Sequence, residues 1–341
     1  MGKEEYGNPN QRADEHSLNL KCKMQNVKLQ VKIQNSFDGI DKKTWNELVD
    51  KTSSSVFQSF EWNSLWWKHF GQGNIKILEV LDGDLLVGVA PFFEKDGVIG
   101  LMGGMDITDY EDVIVLTEYK TLFWENIFSY LKEFNKFDFH FVPPHDTCEV
   151  IQKIRDDFHF HSEEVAPYLE LPLDFETYIS SLPRHDRQEL RRKMRKLEAL
   201  NYRLEKAKDG SDIDDFLRLH RESDTNKNIF MTPKMEDFFR EMTKIFYDLG
   251  RLDLSYLAVE GKRAAATFSF KEKDRILAYN AGFDLNYSYL SVGLLAHALA
   301  IREAIENKLK IYDFLRGNER YKYQLGAIDK SLCHITTIGD K

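Results

Sequence analysis

The feature that most restricts this sequence is that it presents one order of structural signals twice, about 175 residues apart. In the first pass, Trp62, Leu65, Trp66 and Phe70 recur at helical spacing behind Ser59, a natural N-cap, which predicts a helix over 59–70. Three strands follow, at 75–81, 85–94 and 98–102, separated by Asp82-Gly83-Asp84 and Lys95-Asp96-Gly97. A helix over 119–134 with one apolar stripe (Phe123, Ile127, Tyr130, Leu131, Phe134) then leads to an apolar strand at 137–142. The second pass has a helix pair at 212–222 and 233–249, strands at 254–260, 264–271 and 275–283, and turns at Glu260-Gly261-Lys262 and Glu272-Lys273-Asp274. A helix over 292–307 and a strand at 311–315 close it. A meander, a crossover helix and a returning strand, twice over, predict an α/β (α+β) chain of two like units, each a mixed sheet with flanking helices.

At 341 residues and 42% hydrophobic, the chain has apolar material for more than one core. The expected division is a disordered tail over 1–27, a first unit over 28–172 and a second over 173–341, the latter preceded by a basic helix over 184–198. No run of apolar residues is long enough for a membrane span and the N-terminus lacks a signal core, so a cytoplasmic protein is expected. Cys22, Cys148 and Cys333 stand in no metal-type or disulfide-type spacing, so idle thiols and no metal are expected. A net charge of −9 argues against DNA or a general nucleic-acid partner.

Three segments carry groups suited to chemistry. The helix opening at Ser291-Val292-Gly293-Leu294-Leu295 offers unpaired N–H groups to an anion, and Gly293 lets a bulky one approach. The helix from Arg184 places Arg184, Arg187, Arg191 and Arg195 along one side, either a solvated face or a clamp for phosphates. After the last strand, the run Tyr312 to Lys322 is dense in residues that bind anions or move protons. By strand alternation, Asp313 and Leu315 share one face while Phe314 and Arg316 share the other. His220, Trp62 and Trp66 read as core residues.

Several motifs in order carry a resemblance. They are Phe57-Gln58-Ser59-Phe60-Glu61-Trp62 with Trp66-Trp67, Gly88-Val89-Ala90-Pro91-Phe92, and Gly103-Gly104 followed by Asp109-Tyr110. With them stand the basic Leu190-Arg191-Arg192-Lys193 and Asp313-Phe314-Leu315-Arg316-Gly317 with Tyr321-Lys322. Together they resemble the CelD/BcsL-type branch of the GNAT acetyltransferases, relatives of the FemAB tandem-GNAT aminoacyltransferases. The sequence departs from the family pattern at Leu290-Ser291-Val292-Gly293, where Ser-Pro-Gly is frequent, and at Asn318, where an acidic residue is common. The resemblance implies a tandem duplicated GNAT fold and transfer of an acyl group, acetyl above all, from acyl-CoA to an amine or hydroxyl of a small or saccharide-linked acceptor. It implies a donor diphosphate at Ser291 to Leu295, with Asp313 or Glu319 as base and Tyr321 as acid. Asp109, Tyr110, Arg316, Lys322 and Arg191 are the expected substrate contacts. It also suggests a place in envelope polysaccharide synthesis. An aminoacyl-tRNA donor contacting the basic helix, and a non-catalytic binding scaffold, are the alternatives.

Overall fold

The computed structural model describes residues 27–144 and 147–337. The expected tail, apart from Val27, and Cys22 lie outside them.

The first unit contains β1 (Gln30–Gln34), α1 (Lys42–Lys51), α2 (Phe60–Phe70), β2 (Asn74–Asp82), β3 (Leu85–Lys95), β4 (Val98–Leu101), β5 (Ile114–Val115), α3 (Lys120–Tyr130) and β6 (Phe137–Val142). Ser59 caps α2 as expected, its hydroxyl accepting from the N–H of Trp62. A connecting region follows with α4 (Thr147–Ile154), β7 (His159–Val165), β8 (Tyr168–Glu170), α5 (Phe175–Ser181) and α6 (Arg184–Glu198). The second unit has β9 (Tyr202–Lys206), α7 (Ile213–Ser223), α8 (Thr225–Phe230), α9 (Pro233–Asp248), β10 (Leu252–Val259), β11 (Lys262–Glu272) and β12 (Arg275–Phe283). It ends with α10 (Val292–Glu306), β13 (Ile311–Asp313), α11 (Arg320–Gln324) and β14 (Ser331–Thr336).

The hairpin turns form where the sequence places them. Asp96-Gly97 and Glu260-Gly261 both take positive φ at two successive residues, the backbone twist that joins antiparallel strands most tightly. In each unit the returning strand lies parallel to a meander strand, β6 beside β4 and β13 beside β12. The strand expected over 311–315 stops at Asp313, because Leu315 adopts φ 58°, a left-handed conformation that cannot continue a strand.

Two strands change sides. One sheet runs β1-β2-β3-β4-β6-β14-β7, with β5 beside β3, and the other runs β8-β13-β12-β11-β10-β9. The C-terminal β14 thus fills the slot between β6 and β7, while β8, from the connecting region, pairs with β13. The expected boundary at 172/173 is crossed in both directions. Hydrogen-bonding edges explain it: β13 is three residues long and needs β8 on its far edge, and β6 needs β14.

An aromatic core also joins the units. Trp62 is fully buried and meets Phe238, Phe270 and Tyr279 edge-on, with ring centroids 5.5–6.0 Å apart. Its Nε1–H donates to the Thr108 hydroxyl at 2.9 Å, so the ring is buried with its polar atom satisfied. Trp66 is buried in the same cluster. Cys148 and Cys333, remote in sequence, are neighbours in the fold; burial and Cys333 push the Cys148 thiol up, which keeps it protonated.

α7 lies so close on β12 that a Cβ at Gly282 would stand 2.3 Å from the backbone N of His220. Backbone cannot swing away as a side chain can. We expect Gly282→Ala to lower unfolding free energy by about 3 kcal/mol in urea titration, the overpacking limit; an unchanged midpoint would show that α7 shifts freely.

Candidate active site

β12 and β13 pair at only three positions, Arg275↔Ile311, Ile276↔Tyr312 and Leu277↔Asp313. Beyond them β13 ends while β12 runs on to Phe283, so the two strands part and leave a V-shaped opening. A bulge sharpens the divergence: Phe268 pairs with Asn280 and Ser269 with Ala278, leaving Tyr279 as the extra residue. Tyr279 turns into the shared aromatic core and its hydroxyl donates to Ile107 O at 2.8 Å, so the first unit fixes the bulge.

α10 begins at the mouth of this opening. Ser291 sits at φ 58°, ψ 45° and its side chain makes no capping bond, while its carbonyl accepts from Leu295 N–H at 3.0 Å. The N–H groups of Val292, Gly293 and Leu294 therefore precede the first helical bond and can face an anion, whereas that of Leu295 is already used. Gly293 has a packing role as well. A Cβ there would lie 2.9 Å from Phe283 Cδ1, so glycine lets the helix settle on the end of β12.

The 313–322 turn is where the two units meet chemically. Asp313 is buried, and its carboxylate accepts from the Tyr110 hydroxyl at 2.8 and 2.9 Å and from Leu315 N–H at 2.9 Å. Lys330 Nζ lies 3.7 Å from the same carboxylate and 4.1 Å from the centre of the Tyr110 ring. Burial, opposed by Asp313, pulls the Lys330 ammonium below its usual range. Burial, then Asp313, pushes the Tyr110 phenol well up, so it remains a hydrogen-bond donor. One turn on, Arg316 Nε pairs with Asp109 Oδ1 at 3.0 Å, its guanidinium covers the Phe141 ring at 3.6 Å, and its Nη2–H donates to Met105 O at 2.6 Å. Burial outweighs Arg316 and holds the Asp109 carboxyl up at about 6.

Asp109, Tyr110, Asp313 and Arg316 are thus brought together as a junction between the units. Two expected roles change with it. Asp313 is enclosed by Tyr110 and Lys330, which removes it from the reach of a substrate amine. Lys322 is buried, its ammonium donating to Leu315 O (3.2 Å), Arg316 O (2.6 Å) and Gly317 O (3.0 Å) and pairing with Glu319 at 2.9 Å. That ammonium holds the strained turn in place and has no capacity left for a substrate carboxylate.

Glu319 and Tyr321 are placed differently. The Glu319 side chain remains 58% exposed. Tyr321 stacks on His297 at 5.0 Å, and burial pushes its phenol up, so it stays protonated. His297, pulled down to about 3 by burial and nearby lysines, is a neutral ring bonded to the Tyr312 hydroxyl at 3.0 Å. On α6, Arg191 pairs with Glu176 at 2.9 Å and Arg187 donates to Ser180 O at 2.8 Å, while Leu190, Met194 and Leu197 pack inward. His220 is a core residue, bonded to Asn280 at 3.1 Å and pulled down to about 4 by burial.

Other participants carried no signal in sequence. Lys227 donates to Ala281 O at 2.6 Å, across the end of the parting strands, and burial lowers its ammonium. Beside the junction, a cavity of about 180 Å³ is lined by Ser55, Gln58, Tyr110, Lys120, Arg275 and Lys330. Glu111 is buried with Oε1 unpartnered, and burial pushes its carboxyl up to about 8. The Asp109-Tyr110 pair pointed to this segment, but its acidic neighbour did not stand out.

Residues 184–323 match the family model described as an acetyltransferase (GNAT) domain, which spans the parting strands, α10 and α11. The fold is a tandem GNAT fold. FemX is similar at 9% identity and a TM-score of 0.65, over 88% of this chain and 96% of that one. The C-terminal domain of a putative lysylphosphatidylglycerol synthetase from Agrobacterium fabrum is similar at 8% identity and a TM-score of 0.57, over 87% and 91%. A tandem GNAT protein from the clavulanic acid biosynthesis pathway is similar at 10% identity and a TM-score of 0.50, over 92% and 100%. No curated protein matches the chain.

Glu111 generates a pH-dependent expectation. An acid whose folded pKa is raised from 4.5 to about 8 favours the fold when protonated, so the wild type loses stability as pH rises from the lower value to the upper. Glu111→Gln should match the wild type at about pH 5 and exceed it by about 4 kcal/mol at about pH 9 in denaturant titration. An equal difference at both pH values would mean that Glu111 is ionised throughout.

Proposed function

We propose that the chain is an acyltransferase whose second unit binds an acyl-CoA thioester, acetyl-CoA above all, and passes the acyl group to an amine or hydroxyl of a small or saccharide-linked acceptor. The observation that carries this reading is the parting of β12 from β13 with the start of α10 at its mouth. A pantetheine arm is a linear chain of amides that suits a slot between two diverging strands, where edge backbone groups lack ladder partners. The donor diphosphate would then meet the N–H groups of Val292, Gly293 and Leu294, at the positive end of the helix dipole.

In the reaction, the acceptor nitrogen or oxygen attacks the thioester carbonyl, the acceptor loses a proton, the C–S bond breaks, and the CoA thiolate gains a proton. Glu319 is the carboxylate of the turn that solvent and substrate reach, so we assign it the acceptor proton, directly or through water. Tyr321, kept protonated by burial and held flat against His297, is the donor to the thiolate. The cavity beside Tyr110, lined by Ser55, Gln58, Asp112, Lys120, Arg275 and Lys330, offers both donors and acceptors and would suit a polar acceptor rich in hydroxyl groups. A role in envelope polysaccharide synthesis is consistent with such an acceptor.

Acyl-CoA is favoured over aminoacyl-tRNA as donor by the state of α6. Arg187, Arg191 and Arg192 are engaged with Ser180 O, Glu176 and Glu189, and the chain carries a net charge of −9, a poor surface for a polyanion.

Acetyl-CoA at about 100 times its Kd should stabilise the protein by ~2.7 kcal/mol, read as a rise in melting temperature. Tyr321→Phe should lower kcat by at least about tenfold with little change in KM, whereas Asp313→Asn should act mainly on stability. Absence of any thermal shift with CoA thioesters, together with a shift on charged tRNA, would transfer the donor assignment to tRNA.

A further inference from the structure

On the open face of the first sheet, three adjacent strands bring histidines and carboxylates together. Asp138 and His140 lie two residues apart on β6 and so project from the same face; His334 comes from β14, and Glu163 and His161 from β7. His334 Nε2 stands 2.6 Å from Asp138 Oδ1 and His140 Nε2 stands 3.4 Å from Asp138 Oδ2. The two imidazoles stack 4.3 Å apart and nearly parallel, at 7°. One ligand atom from each of Asp138, His140 and His334 lies within 4.8 Å of the others.

We propose that Asp138, His140 and His334 bind a divalent transition-metal ion of the zinc type. Three features of the geometry support this. First, both histidines aim Nε2 at one carboxylate, and two imidazoles with one carboxylate form a donor set preferred by zinc, with ligand bonds of about 2.0–2.2 Å. Second, the other nitrogen of His140, Nδ1, is bonded to Glu163 Oε1 at 2.5 Å, and the second Glu163 oxygen accepts from Phe141 N–H at 2.8 Å. That chain of backbone, carboxylate and histidine is the outer support that orients a metal-binding imidazole. Third, the side chains are partly open, at 23–33% exposure, so an ion can enter and water can complete its shell. His161 lies next along the row, 6.0 Å from His334 ring to ring, in position to supply a further ligand.

The site is invisible in sequence because its ligands come from positions 138, 140 and 334, and the last reaches the sheet only through strand exchange. Its effect follows from that topology. An ion bridging β6 and β14 clamps the C-terminal strand onto the first unit and so ties the two units together. The site stands apart from the proposed donor opening, and its test does not depend on the acyltransferase reading.

The test is zinc titration of the chelator-treated full-length chain, by calorimetry and by thermal melting. One equivalent of zinc is expected to bind with micromolar or tighter affinity and to raise the melting temperature. His140→Ala and His334→Ala should each weaken binding by more than about 100-fold, and Glu163→Gln by about 10- to 100-fold. Cys333→Ser, with its side chain beside Cys148, should bind zinc as the wild type does. Circular dichroism of each zinc-free variant shows whether it has folded. The proposal fails if folded wild type takes up no zinc at micromolar concentration, if His334→Ala binds as tightly as wild type, or if Cys333→Ser abolishes binding.

Discussion

The structure rests on an exchange of hydrogen-bonding edges. β13 offers three residues to β12 on one side and would leave a bare edge on the other; β8 covers it. β6 in turn is covered by β14, the last strand of the chain. Because an uncovered ladder edge is unfavourable and open to wrong partners, neither sheet is complete without a strand from outside its own unit. The two copies are bound as one body by backbone bonds before any side chain is considered.

This arrangement explains why buried charges can stand at the junction. Asp313 and Arg316 belong to the second unit, and Tyr110 and Asp109 to the first. A carboxylate inside a protein is tolerable when donors are held on it, and the exchanged strands hold them. Lys330, which leads into β14, is brought over the Tyr110 ring by the same topology. The strained residues of the turn, Leu315 at φ 58° and Gly317 at φ 102°, are stabilised in a similar manner, by one buried ammonium on three carbonyls. The groups left accessible, Glu319 and the start of α10, are therefore presented on a rigid frame.

Much of this was legible from residue patterns. The meanders, their turns, the Ser59 cap, the crossover helices and the closing strands follow from local periodicity and turn chemistry. Asp109, Tyr110, Asp313 and Arg316 stood out in sequence as separate site candidates, yet neither their pairing nor its chemistry was legible: a base candidate became a buried junction carboxylate, and an expected substrate-binding lysine became a prop for the turn. Short strands such as β8 and β14 escaped notice because their partners, which make them strands, lie far along the chain. Lys227, Lys330 and Glu111 drew no attention because a single charged residue looks the same in sequence whether it is solvated or enclosed.

By itself the sequence determined the duplication, the order of the elements in each copy and the segments in which polar chemistry is concentrated, since these depend on interactions between near neighbours. The tertiary structure alone decided which strand closes which sheet, which carboxylates are sealed and which remain open, and that Asp138, His140 and His334 share one face. Those outcomes depend on distant segments competing for the same edge and the same interior, and burial is a property of the whole chain.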